Sequence, residues 1–389
     1  MTGEDDIVFR FLHTADWHLG KRFPAFREHD EAKLTRARLD VLSRVFAVAE
    51  KRQVHAVLCA GDLFDTPDPG NVWWEPLAKM LQQLEWTGRP VVLLPGNHDP
   101  LISGSPWEPS HPFRRHLPSW VHVVDQELLE LPLAENAVLY AVPCRSQAGQ
   151  GDPTLRIPKR VPGDDRIRIG LVHGTTFDVE GHQMNFPISA DAAVDRDLDY
   201  LAIGDTHGFR LVPPNRPVPP TVYPGAPEPT SFDEKDAGHV AVVQVNRQRI
   251  PTIQKERVAH WKWEQVEVNS LADLKQLRGR ELKDRVLRLV VKMALPAPEL
   301  EEAEAILREL EGTPATNPRA GVLDLDRRHL QLDASNIEQL SDELPDVLKA
   351  AVVRLKSKLE TAEDNGDDHA AEIAARALRY LLREARKES

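Results

Sequence analysis

Residues 7–20 read IVFRFLHTADWHLG: a largely apolar run, Ile7 to Leu12, enters a turn that carries Asp16 and His18 and closes on Gly20. The same grammar recurs four times along the chain. AVLCAGDLFD (56–65) delivers Asp62, VVLLPGNHD (91–99) delivers Asn97, His98 and Asp99, IRIGLVHG (167–174) delivers His173, and YLAIGDTHG (200–208) delivers Asp205 and His207. Val, Ile and Leu dominate these runs and Gly, Asp, Asn or Pro follow them, as in buried strands punctuated by loops. Further runs fall at Trp120–Val124, Val138–Pro143 and Val240–Val245.

Between the first two runs, Glu31–Arg52 spaces Leu34, Leu39, Leu42, Val45, Phe46 and Ala49 at near-helical intervals, which predicts an amphipathic crossover helix. Strand, helix, strand implies an α/β layered domain, and the later helix-poor succession of strands implies a second sheet packed on the first. Val212–Thr230 is so rich in proline that neither a helix nor a central strand is expected there, only a long loop. Beyond Trp261, strand-like Val286–Met293 and His329–Leu332 flank a helix-like Pro298–Glu311, which predicts a small α+β domain. The tail, Leu344–Lys387, reads as two helices broken at Asn365 and Gly366. The expected divisions are 1–255, 256–340 and 341–389.

The 389 residues carry 49 Lys plus Arg against 61 Asp plus Glu, a net charge of −12, which excludes an indiscriminate nucleic-acid coat but not a local basic patch or bound cations. No stretch approaches the ~20 apolar residues of a membrane-spanning helix, and no secretory apolar segment opens the chain, so a cytoplasmic location without membrane association is expected. Cys59 and Cys144 lie inside apolar runs and read as buried free thiols.

Each polar residue at a run's end has a bland reading. Asp16, Asp62 and Asn97 are ordinary turn formers, and a lone histidine is more often structural than a ligand. Turn chemistry does not, however, call for histidines at 18, 98 and 207 beside them. Carboxylate, imidazole and amide donors gathered at strand carboxyl ends suit divalent metals, and five such elements on one sheet edge can hold two.

The set Asp-x-His, Gly-Asp, Gly-Asn-His-Asp, lone His and a final x-His resembles the calcineurin-like metallophosphoesterases. His13–Gly20, Gly61–Asp65 and Tyr223–Glu234 are similar to segments of the SbcD-like DNA repair nucleases within that superfamily, the likeness covering about residues 7–250. The resemblance implies a two-sheet sandwich flanked by helices. It also implies one metal on Asp16, His18, Asp62 and His207 and another on Asp62, Asn97, His173 and Asp205. Ions about 3.5 to 4 Å apart would activate water and stabilise an in-line phosphoryl transition state. His98 would protonate the leaving oxygen or steady the phosphoryl charge, with Asp99 orienting its ring. Manganese is the ion the resemblance implies, while the donors alone leave magnesium, iron and zinc open.

Asp205 departs from the family's pattern, which has histidine there. As a ligand it would lower the site's positive charge by one and harden it toward manganese or magnesium; alternatively the shorter side chain fails to reach and one metal is weak. For DNA, Lys21, Arg22, Arg114 and Arg115 offer phosphate contacts, as do Lys159 and Arg160, and Trp17 offers either a base-stacking face or core packing. Asp65 reads as a turn cap, at a position where some relatives have histidine. The tail helices, by resemblance, would dock on an SbcC-like coiled-coil ATPase, or else pack on each other, and a homodimer is left open. The expectation is a two-metal DNA exo/endonuclease of double-strand-break or end processing. The alternatives are a metallophosphoesterase of small phosphodiesters or nucleotides, and a catalytically weakened DNA-end-binding adaptor.

Overall fold

Ile7–Thr14 (β1), Ala56–Cys59 (β2), Val91–Leu93 (β3) and Val121–Val123 (β4) pair in parallel in a computed structural model that describes residues 6–84, 86, 89–149, 151–176, 185–212, 220–312, 320–333 and 346–387. The described chain divides into two compact units, Met1–Trp261 and Lys262–Ser389. In the first unit, Leu129–Ala134 (β5), Ala137–Ala141 (β6), Ile167–His173 (β7), Tyr200–Gly204 (β8), Arg210–Val212 (β9) and Thr221–Tyr223 (β10) form a second sheet in the order β5-β6-β7-β8-β10-β9. His239–Asn246 (β11) and Pro251–Arg257 (β12) return antiparallel to complete the first sheet, β12-β11-β1-β2-β3-β4.

The two sheets bury one face each against the other. Phe9 and Phe11 of β1 meet Leu139, Ile169 and Tyr200, and all are inaccessible to solvent. The outer face of the first sheet is covered by helices Glu28–Lys51 (α1) and Asn71–Gln83 (α2), whose Leu42, Val45 and Leu77 lie in a second core with Val57 and Val91. Each such side chain contributes about 1.5–3 kcal/mol on burial. Every apolar residue singled out between Leu34 and Ala49 is buried.

The proline-rich 212–230 segment is not simply a loop. Thr221, Val222 and Tyr223 are fully buried as β10, a central strand between β8 and β9. The reason is local: the strand falls between Pro220 and Pro224, so its own N–H groups remain available to the ladder. Residues 213–219 lie outside the described chain. Cys59 and Cys144 are free and buried, and burial pushes both thiols well above their ordinary pKa.

The second unit is a three-stranded parallel sheet of Lys262–Val268 (β13), Arg285–Leu295 (β14) and Val322–Leu332 (β15), connected through helices Leu271–Arg278 and Ala297–Glu311. Ser270 caps the first of these by accepting the Asp273 N–H. Helices Asp346–Asp364 and Asp368–Lys387 pack on each other across a turn at Gly366 (φ +66°), and Val352 and Leu378 join Leu289 and Leu307 in this unit's core. No helix among the described residues is long and apolar enough to cross a membrane.

Candidate metal centre

Strand register brings the polar ends to one level. Thr14 lies opposite Cys59 and Cys59 opposite Leu93, so the turns that carry Asp16, Asp62 and Asn97 leave the first sheet side by side. In the second sheet His173 lies opposite Gly204, one residue before Asp205. Backbone bonds join the turns: Asp16 N–H donates to Gly61 O at 3.0 Å and His18 N–H to Asp62 O at 2.9 Å.

The turns are conformationally demanding. Asp16, His18, Asp62 and Asp205 have φ of 56°, 43°, 54° and 108°, a region side-chain-bearing residues occupy rarely and chiefly at functional sites. The left-handed pair at Asp16 and His18 aims those two side chains into the cleft and sends Trp17 into the core beneath α1. Trp17 has no solvent exposure and its Nε1–H donates to Thr14 Oγ1 at 2.9 Å, so base stacking by this residue is ruled out. Two glycines make room: a Cβ on Gly96 would lie 2.1 Å from Asp62 Oδ1, and one on Gly61 would lie 2.4 Å from His173 Nδ1.

The donors converge in three overlapping groups, Asp16–His18–His207, His18–Asp62–His98 and Asp16–Asp62–His173, each with ligand atoms within 4.8 Å of one another. Asp62 Oδ2 stands 3.6 Å from His18 Nε2 and 3.5 Å from His173 Nε2, the placement a shared ligand needs. Asn97 Oδ1 lies 2.8 Å from His173 Nε2. Asp205 stands at the rim. Its Oδ1 is 3.9 Å from His173 Nε2, its Oδ2 accepts from Thr175 Oγ1 at 2.7 Å, and its backbone N–H donates to Asp16 Oδ1 at 3.0 Å.

Three of the histidines are oriented by what lies behind them. Nδ1 of His18 lies 3.1 Å from Asp65 Oδ1, Nδ1 of His173 is 2.7 Å from Ala60 O, and Nδ1 of His207 is 2.6 Å from Glu234 Oε1. A proton on each Nδ1 leaves Nε2 as the nitrogen facing the cluster, the arrangement by which outer carboxylates and carbonyls set a metal-binding tautomer. His18 Nε2 and His207 Nε2 then face each other at 3.1 Å. Asp16 Oδ2 is buried and receives no hydrogen bond among the described residues. Two opposed lone pairs and an orphaned carboxylate oxygen are costly unless a cation joins them, so these residues fit divalent metal.

Electrostatics make the same demand. Burial pushes the Asp16 carboxyl up to about 6 against the pull of His207 and His173. Burial opposes charge on His173, yet the carboxylates of Asp62, Asp16 and Asp205 raise it to about 10. Burial holds His18 well below its ordinary value and therefore neutral.

Asp99 does not orient His98. Its two oxygens accept the backbone N–H groups of Phe64 (3.0 Å) and Gly96 (2.8 Å), so it shapes the turn instead. The His98 ring meets Asp65: Nδ1 lies 3.1 Å from the Asp65 carbonyl and 4.0 Å from its carboxylate. His98 is 43% exposed and packs edge-on to His18, while its N–H donates to Asp62 Oδ1 at 2.9 Å.

The expected phosphate contacts are mostly occupied. Lys21 reaches Asp65 at 3.5 Å, Arg22 pairs with Glu31 at 2.6 Å and Arg114 with Asp125 at 2.5 Å, whereas Arg115 and Lys159 are exposed. Arg160 is tied to Asp199 and to the carbonyls of Asp164 and Arg166. A buried residue that motif reading overlooks is Arg38. It donates to the carbonyls of Asp16, Trp17, His18 and Glu228 and so holds the first turn in shape. Its signal in the sequence is a charge set between Leu34 and Leu42 on the apolar stripe of α1.

Two facing sheets with clustered carboxylates and imidazoles at their strand ends form a site whose donors suit divalent metal. The chain belongs to the calcineurin-like phosphoesterase family, which it matches over residues 9–209, just over half its length; members use a dinuclear divalent metal centre. It is similar to the uncharacterized metallophosphoesterase YhaO of Bacillus subtilis, 25% identical over 276 residues, 69% of this chain and 65% of that one. It is also similar to the SbcD component of the nuclease SbcCD of Escherichia coli K12, 40% identical over 90 residues, 23% of this chain and 21% of that one. A third relative is the DNA double-strand break repair protein Mre11 of Methanopyrus kandleri, 24% identical over 95% of this chain and 82% of that one. The chain thus spans just under two thirds of YhaO and about a fifth of the SbcCD component.

Proposed function

We propose that the protein is a two-metal phosphodiesterase acting on DNA, an exo/endonuclease in break or end processing. The observation that carries the hydrolytic part is the convergence of Asp16, His18, Asp62, His173 and His207 with every outer nitrogen of the three histidines already engaged. Asp16, His18, Asp62 and His207 would hold one ion, and Asp62, Asn97 and His173, with Asp205 alongside, the other. When bound, the ions supply Lewis acidity and positive charge for an in-line phosphoryl transfer, and manganese suits the mixed hard and borderline donors.

His98 stands at the mouth with Nδ1 against the Asp65 carbonyl, which presents Nε2 outward. From that atom it gives a proton to the leaving oxygen, and the Asp65 carboxylate steadies the charged ring. Asp99 keeps the turn that carries His98 in register through the Phe64 and Gly96 N–H groups.

DNA as substrate is supported by the likeness to the SbcCD and Mre11 proteins. A partner is supported by the exposed apolar residues Val353 and Ile373 on the C-terminal helices, a surface suited to the coiled-coil base of an SbcC-like ATPase. The test is manganese-dependent degradation of matched linear and circular DNA, single- and double-stranded, with Asp62→Asn and His98→Ala alongside. Cleavage lost in both variants is the expected result. The family match leaves the substrate open, so hydrolysis of small phosphodiesters is the second reading; bis(p-nitrophenyl) phosphate turnover without DNA cleavage would select it.

A further inference from the structure

Beside the strand end that carries His173, a cavity of about 190 Å³ is lined by Cys144, Arg145, Pro153, Arg156 and Phe186, among others. It adjoins the metal centre through the backbone. Cys144 N–H donates to Pro95 O, two residues before Asn97, and Cys144 Sγ lies 3.8 Å from the carbonyl of His173. The guanidinium groups of Arg145 and Arg156 are exposed and make no ion pair or hydrogen bond among the described residues, in a chain whose net charge is −12. The nearby acid in sequence, Asp152, is occupied by the Thr154 N–H and hydroxyl and by the Ser189 N–H.

Phe186 supplies an aromatic wall and is held there at some cost. Its φ is +49°, its N–H donates to Gly149 O at 2.9 Å, and a Cβ on Gly149 would meet its ring at 2.1 Å. Two unpaired cations and a fixed, half-buried ring are the elements of a single-strand nucleic-acid groove, in which arginines take phosphates and an aromatic face takes a base. The volume is below the ~300 Å³ at which pockets enclose whole small ligands, which favours one unit of a longer polymer over a free metabolite.

We propose that this cavity is a substrate subsite that binds one nucleotide unit adjoining the scissile phosphodiester, its phosphate on Arg145 and Arg156 and its base on Phe186. This rests on the DNA reading above and adds where the strand runs: past His173, along the ends of β6 and β7.

The test measures binding of fluorescein-labelled dT12 in EDTA across a salt series, with manganese-dependent cleavage of the same oligonucleotide by the wild type run in parallel. Arg145→Ala/Arg156→Ala is compared with Arg36→Ala/Arg247→Ala, which removes equal charge from exposed sites elsewhere. The pocket variant should bind about tenfold more weakly than this control, with a salt slope shallower by about 1.4, two single-strand phosphate contacts at ~0.7 each. Phe186→Leu should weaken binding severalfold with the slope unchanged. Equal affinity and slope in the two double variants, with wild-type cleavage intact, overturns the subsite and leaves the nuclease reading standing. Wild-type protein that neither binds nor cleaves the oligonucleotide overturns both.

Discussion

Glu234 Oε1 lies 2.6 Å from Nδ1 of His207, and this contact decides which nitrogen of His207 faces the metal cluster. Burial disfavours charge on the ring, but the Glu234 hydrogen bond and carboxylate outweigh it and raise the His207 pKa. Glu234 in turn accepts from the Thr230 N–H at 2.7 Å, so the carboxylate is itself fixed. Replacing Glu234 by Gln weakens the orienting bond without emptying its volume. Metal affinity measured by isothermal titration should fall about 10- to 100-fold, the usual cost of losing an outer partner of a ligating histidine. Unchanged affinity would mean that His207 is oriented by packing alone.

Arg38 performs a similar service for the first turn. It is 1% exposed, and its bonds to the carbonyls of Asp16, Trp17 and His18 hold a left-handed segment that has little intrinsic preference for that shape. Arg38→Met keeps the aliphatic stem and leaves four carbonyls short of a donor. Loss of about 3–5 kcal/mol of unfolding free energy in urea titrations is expected, as for other broken buried polar networks.

Gly96→Ala tests the close approach of two loops. The added methyl would stand 2.1 Å from Asp62 Oδ1, which is held by the His98 N–H, and 2.3 Å from the Asp62 backbone nitrogen, which has no rotamer to relieve the clash. Asp62 must move, and with it the carboxylate shared between the ligand groups. Phosphodiester hydrolysis should drop at least about 100-fold, since small displacements of catalytic groups cost that much. Circular dichroism should show the sheet content retained.

His13 gives the fold a pH dependence of its own. It is fully buried between the sheets with Nδ1 3.0 Å from the Tyr200 hydroxyl, and burial lowers its pKa to about 3. The unfolded chain takes up a proton below the ordinary value of 6.5 while the folded chain does not. The contribution of neutral His13 to stability is therefore complete above pH 6.5 and is lost as pH falls from there toward 3. Between pH 6 and 4 the stability curve of His13→Phe should be shallower than that of the parent by about 1.4 kcal/mol per pH unit, the slope of one proton. Urea unfolding at a series of pH values measures it.

Much of the site was legible because each candidate ligand follows a short apolar run, and buried parallel strands present their carboxyl ends to ligands. Asp16, Asp62, Asn97, His173 and Asp205 come within a few residues of the ends of β1, β2, β3, β7 and β8. What escaped were residues whose partners lie far off in sequence. Arg38 meets Glu228 O across 190 positions, and His207 meets Glu234 through a chain reversal that no periodicity records. Asp99 escaped for another reason: spacing alone does not tell which way a side chain in a tight turn points, and the left-handed residues on either side of Trp17 settled it toward core packing, one of its two readings. In the fold, β10 was hidden by its proline neighbours, although the three residues of the strand itself hold none.

The central claim is that Asp62 is shared by two divalent ions on which phosphodiester cleavage depends. The direct measurement is the manganese content per chain, by equilibrium dialysis and elemental analysis, for wild type and Asp62→Asn, beside hydrolysis of bis(p-nitrophenyl) phosphate. Two ions per wild-type chain are expected, with metal content and turnover falling together in Asp62→Asn. Hydrolysis that persists at the wild-type rate in Asp62→Asn, or a wild-type chain that binds no manganese at millimolar concentration, would contradict the account.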